Sequence, residues 1–81
     1  MPTALDYNGP YRFYIPSGDH RPPHVHVERD DDEAIFTLKP VALRDEDNYG
    51  FANHELGEIQ EIIVENRTSI LKTWNRYGGR R

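Results

Sequence analysis

The hydrophobic pattern of this 81-residue chain changes period once, and the change separates a sheet-forming half from a helix-forming half. Between residues 11 and 38 the apolar positions alternate. Tyr11, Phe13 and Ile15 share one side of a first strand, Val25 and Val27 one side of a second, and Ala34, Phe36 and Leu38 one side of a third. The turn signals Asn8-Gly9-Pro10 and Pro16-Ser17-Gly18-Asp19 bound the first strand, residues 11–15. The second strand spans residues 24–29, and the acidic residues 30–33 form a hairpin loop of about four residues before a third strand at 34–38. Pro40 then interrupts, which leaves residues 41–43 as at best a short edge strand and residues 45–50 as a polar loop.

From Asn53 onward the spacing lengthens. Leu56, Ile59, Ile63, Ile70, Trp74 and Tyr77 recur at intervals of three or four once Asn66 is counted in the gap, the stripe of an amphipathic helix. Asn53 serves as its N-cap, Glu55 and Glu58 complement the positive end, and Gly78-Gly79 stops it. Residues 66–69 are candidates for dividing the segment, but the phase runs through them, so the expectation is one long helix bent near Asn66. The fold class is therefore α+β: a small antiparallel sheet of three to four strands with a long C-terminal helix packed on one face, in a single domain over residues 1–81.

The absence of cysteine excludes disulfides, thiolate metal sites and cysteine nucleophiles. With neither a signal-like start nor an apolar run approaching about 20 residues, a soluble cytoplasmic protein with no membrane partner is expected. A net charge of -4 argues against a generally cationic nucleic-acid binder. The charges are segregated, however: residues 28–33 hold five acids and one arginine, whereas Arg67, Lys72, Arg76, Arg80 and Arg81 follow Glu65 with no acid among them.

The polar side of the expected sheet carries Arg12, Tyr14, His24, His26, Glu28 and Thr37, with Ile35 the apolar exception. Its densest stretch is Pro22-Pro23-His24-Val25-His26-Val27, approached through Asp19-His20-Arg21. A metal reading would use His24 and His26 with His20 or Glu28, but only two ligands are well placed, so neither metal nor cofactor is assigned. An acid-base reading makes His20, His24 and His26 the candidate catalytic groups, because imidazole titrates near neutral pH. Arg12, Tyr14 and Arg21 would then hold a phosphoryl oxygen as substrate-binding groups. The plain structural alternative has the histidines bonding to turns and neighbouring strands, with the proline pair fixing entry to the strand. Trp74 and Tyr77 belong to the core stripe.

Met1-Pro2-Thr3, a strand ending in Tyr14, the Asp19-His20-x-Pro22-Pro23-His24-Val25-His26-Val27 run, and a helix with Glu65-Asn66-Arg67 before Leu71 and Trp74 together resemble the small bacterial proteins of the domain of unknown function 4160 family. The resemblance covers nearly the whole chain. It implies a toxin-like component of a toxin–antitoxin pair, with a cognate antitoxin-like protein as partner and RNA or the translation machinery as target of the histidine face. A non-catalytic interaction module, the regulatory member of such a pair, is the competing expectation. Whether the chain is an enzyme, and whether it self-associates, stay open at this point.

Overall fold

Strands form where the alternating residues find partners on both sides. A computed structural model describes residues 3–5, 9–15 and 22–78, without the side chains of 45–47 and 77–78. Four strands, β1 (Arg12–Tyr14), β2 (His24–Arg29), β3 (Asp32–Leu38) and β4 (Val41–Tyr49), form an antiparallel meander in the order β1-β2-β3-β4. The register sets Phe13 opposite Val27, Val27 opposite Ala34, and Val25 opposite Phe36, so the apolar residues line up across the sheet. Thr3 forms an isolated antiparallel bridge to Tyr14, and the Ala4 amide donates to the Phe13 carbonyl at 2.8 Å, which covers part of the β1 edge.

The hairpin between β2 and β3 is tighter than the acidic run suggests. Asp30 and Asp31 alone make the turn, with Asp30 at φ 53, a left-handed conformation that aspartate tolerates better than most residues. Asp32 and Glu33 therefore belong to β3, where they pair with Arg29 and Glu28.

The fourth strand departs further from expectation. Lys39 and Pro40 occupy the turn, joined by a cis peptide bond, so the proline sits where no ladder donor is needed and β4 continues for nine residues. Phe36 faces Leu43 while Ala34 faces Asn48, so residues 44–47 of β4 stand opposite Ile35 alone. That irregularity takes up the polar segment, giving a bulged edge strand where composition points to a loop.

The helical half is divided rather than continuous. α1 (Asn53–Glu65) and α2 (Arg67–Thr73) meet at Asn66, and a π-helical turn, Trp74–Gly78, follows. The Asn66 side-chain amide donates to the Ile62 carbonyl at 2.8 Å, and its backbone at φ -119 and ψ 18 leaves helical geometry. One long helix is thus replaced by two short ones, yet the stripe keeps its phase: Ile59, Ile63, Ile70 and Trp74 are all buried. Ala52, not Asn53, is the N-cap, and its amide donates to the Glu55 carboxylate at 2.9 Å.

Helices and sheet close on a core of Phe13, Ile15, Val25, Val27, Phe36 and Leu38 against Ile59, Ile63, Ile70 and Trp74, with Tyr11 and Phe51 at one end. Each fully buried large side chain contributes roughly 1.5–3 kcal/mol. Polar ties fix the layers. Arg29 pairs with Glu55 at 2.5 Å and Asp32 at 3.1 Å beneath the rings of Tyr11 and Phe51, and Arg67 donates to the Leu38 carbonyl at 2.7 Å.

Candidate functional site

Cross-strand pairing builds the polar face in rows. Arg12, Glu28 and Glu33 lie opposite one another in the first row, Tyr14, His26 and Ile35 in the second, and His24, Thr37 and Ala42 in the third. Two carboxylates directly opposite each other are unfavourable. Their repulsion is offset by the Arg12 guanidinium, which pairs with Glu28, and by the Tyr14 hydroxyl, which donates to Glu28 Oε2 at 3.1 Å with Glu33 Oε2 at 3.4 Å. Burial first, then the bond to Glu28 and the two negative charges, push the Tyr14 hydroxyl up to about 12, so it stays protonated and donating.

His26 is the centre of this arrangement. Its ring lies 5.2 Å from Tyr14 and 5.5 Å from His24, and its Nδ1 is 3.6 Å from Glu33 Oε2, an ion-pair distance longer than a hydrogen bond. Burial lowers its pKa from the ordinary value, and the neighbouring His24 and Arg44 act in the same direction, while the Glu33 carboxylate opposes them. The side chain is 16% exposed, enough to be reached from solvent.

His24 behaves differently from its partner in the motif. It is fully buried, with the Trp74 ring 5.0 Å away, and its Nδ1–H donates to the Pro22 carbonyl at 3.0 Å, which fixes the proton on that nitrogen. The Pro23 carbonyl accepts from the Leu38 amide at 3.1 Å. The proline pair thus supplies acceptors that seat the start of β2. The polar side of the sheet is therefore not a uniform solvent face: at its His24 end the imidazole is buried, with the Trp74 ring beside it.

Of the residues singled out from the sequence, Arg12, Tyr14 and His26 come together, His24 stands beside them under cover, and His20 and Arg21 lie outside the described residues. Among the described residues no group of three or more His, Asp or Glu side chains is arranged to hold a metal ion. Glu33 is the member that sequence reasoning missed, because the four-acid run passes for a loop. The available signal was its spacing: Glu33 is two residues before Ile35, and a two-residue turn places it opposite Glu28. Exposure then grades the cluster, from Arg12 at 75% through Glu33 at 43% to Glu28 at 29%.

No helix among the described residues is long and apolar enough to cross a membrane. Comparison with curated proteins and with solved structures yields no match. The model of one family does match, over residues 11–75, a span that takes in all four strands and both α-helices. On that match the chain belongs to the family described as domain of unknown function 4160.

Proposed function

We propose that this chain is a non-catalytic interaction module, the regulatory member of a toxin–antitoxin type pair in the bacterial cytoplasm, and that it binds a basic partner protein through Arg12, Tyr14, His26, Glu28 and Glu33. The observation that carries this reading is the burial of His24 beneath Trp74. An imidazole sealed in this way cannot touch a substrate, which removes one of the two strand histidines from acid-base work. Electrostatics point the same way. Glu28 and Glu33 share the face, and residues 30–32 add three aspartates at the same end of the hairpin, a field that attracts cations and repels phosphate.

A second reading rests on the other histidine. His26 is within reach of solvent with the Glu33 carboxylate behind it and the exposed Arg12 one row away, a geometry suited to a general base with a phosphate anchor in a toxin acting on RNA or translation.

Growth and binding separate the two. Expressed alone in bacteria, the chain leaves growth unchanged under the first reading. Its affinity for the product of the neighbouring gene, measured by titration calorimetry, then falls more than about tenfold in Glu28→Lys or Glu33→Lys. Growth arrest that His26→Ala relieves at equal soluble expression would establish the toxin instead.

A further inference from the structure

Charge in this chain is divided by position rather than balanced locally. All fourteen acidic residues lie within residues 1–65, together with five of the cations. The other five cations, Arg67, Lys72, Arg76, Arg80 and Arg81, follow with no acid among them. The sheet face draws only on the first part, so the cationic end has no role in either reading above.

Part of that end forms a groove. Ser69, Lys72, Thr73 and Arg76 recur at i, i+3, i+4 and i+7 along α2 and the π-helical turn, and together they line a shallow depression. Ser69, Lys72 and Arg76 are exposed and Thr73 is half-buried, while Ile70 and Trp74 hold the same segment to the core. Two cations and two hydroxyls thus make up the lining, and among the described residues no carboxylate joins them. The Lys72 ammonium and the Ser69 hydroxyl have no partner among the described residues. The Thr73 hydroxyl donates to the Ser69 carbonyl at 3.3 Å, a long bond that a charged acceptor can replace.

The helix dipole accounts for cations in these last turns, Lys72 in α2 and Arg76 in the π-helical turn. It does not account for the hydroxyls that share the groove with them. It also limits the ligand, because the carbonyl ends of a helix repel anions and two exposed cations hold a single phosphate only weakly. A chain of phosphates suits the groove better: its charge repeats, and neutralising it releases condensed counterions.

We propose that this groove binds the phosphodiester backbone of a nucleic-acid strand, with Lys72 and Arg76 paired to phosphate oxygens and Ser69 and Thr73 donating to them. These are the side-chain types that contact phosphate rather than base edges, so binding is independent of base sequence. An acidic peptide would meet the same charges, but protein interfaces are anchored on apolar and aromatic side chains, and none lines this groove. The acidic remainder of the molecule repels the strand, which confines its approach to the cationic end and keeps the affinity low at physiological salt. The groove shares no residue with the sheet face, so this inference stands or falls apart from the function proposed for that face.

Fluorescence anisotropy of a labelled oligothymidylate of about 20 nucleotides, titrated with the full chain at several salt concentrations, tests this. The expected result is binding at low salt that weakens as salt rises, with a slope of log K against log salt of about 0.7 for each phosphate neutralised. Lys72→Ala and Arg76→Ala should each reduce that slope by about the same amount, and Lys72→Glu should lower the affinity roughly tenfold. Ser69→Ala should weaken binding at an unchanged slope, since it removes a neutral donor. The three substituted positions are exposed, and far-UV circular dichroism of each variant confirms that the fold is intact. Absence of binding at low salt and millimolar protein overturns the proposal, as does binding that Lys72→Glu retains in full. An oligoglutamate of equal length that displaces the strand as well as unlabelled oligothymidylate does would overturn it too, making the groove a site for acidic peptides.

Discussion

His26 occupies a position where burial and a carboxylate pull its titration in opposite directions, and burial dominates. Tyr14 on β1, His24 on β2, Glu33 on β3 and Arg44 on β4 are the polar groups around it, and none provides a hydrogen bond to Nδ1 among the described residues. A histidine whose folded pKa lies below the ordinary 6.5 favours its neutral form in the native state. The unfolded chain then binds the extra proton, so the stabilisation is full above that value and is lost as pH falls from it through the lowered folded pKa. Thermal melts should therefore show Tm declining below about pH 6.5, and His26→Gln should flatten that part of the profile; an unchanged slope in the variant would show that another group is responsible. A second residue-scale constraint is Gly50, which sits at φ +113 where an added Cβ would stand 2.1 Å from Asp32 Oδ1. Gly50→Ala should cost about 1–3 kcal/mol in urea unfolding, partly by displacing the carboxylate that pairs with Arg29.

At the scale of elements, α1 begins with half of a capping box. Glu55 reaches back to the Ala52 amide, but alanine has no side-chain acceptor to return the bond to the first turn. Ala52→Ser should complete it and raise stability by about 1 kcal/mol, measured as an increase in the urea midpoint at constant slope. The same elements show how far local pattern carries. The faces of β1, β2 and β3 were legible because alternation assigns every residue to a side. The length of β4 was not, since a bulge that sets residues 44–47 against Ile35 is imposed by the neighbouring strand and leaves no period in the polar segment itself. Continuity through Asn66 failed for a related reason: phase records which side a residue faces, and it is kept by two helices as well as by one. What broke the helix was a local competition, the asparagine amide bonding its own turn.

At the scale of the whole molecule, Trp74 joins the helical half to the sheet, packing in the core cluster while its ring lies 5.0 Å from His24. Because every element contributes to that core, unfolding followed by Trp74 fluorescence and by far-UV circular dichroism should coincide at one midpoint, and Trp74→Ala should lower stability by about 3–5 kcal/mol. Separate midpoints would mean that the C-terminal turn opens independently, exposing His24. The sequence by itself determined the α+β class, the buried faces of β1, β2 and β3, the buried Ile59, Ile63, Ile70 and Trp74, and the side of the sheet on which Arg12, Tyr14, His24 and His26 stand, because these follow from two short-range periods; burial of Ala4, Phe51 and His24 does not, and the Tyr77 side chain lies outside the described residues. Only the tertiary structure decided that Glu33 joins His26 and that Trp74 covers His24. Those outcomes depend on hairpin length, on strand register and on how the chain end returns to the sheet, and each of them joins residues that no period in the sequence relates.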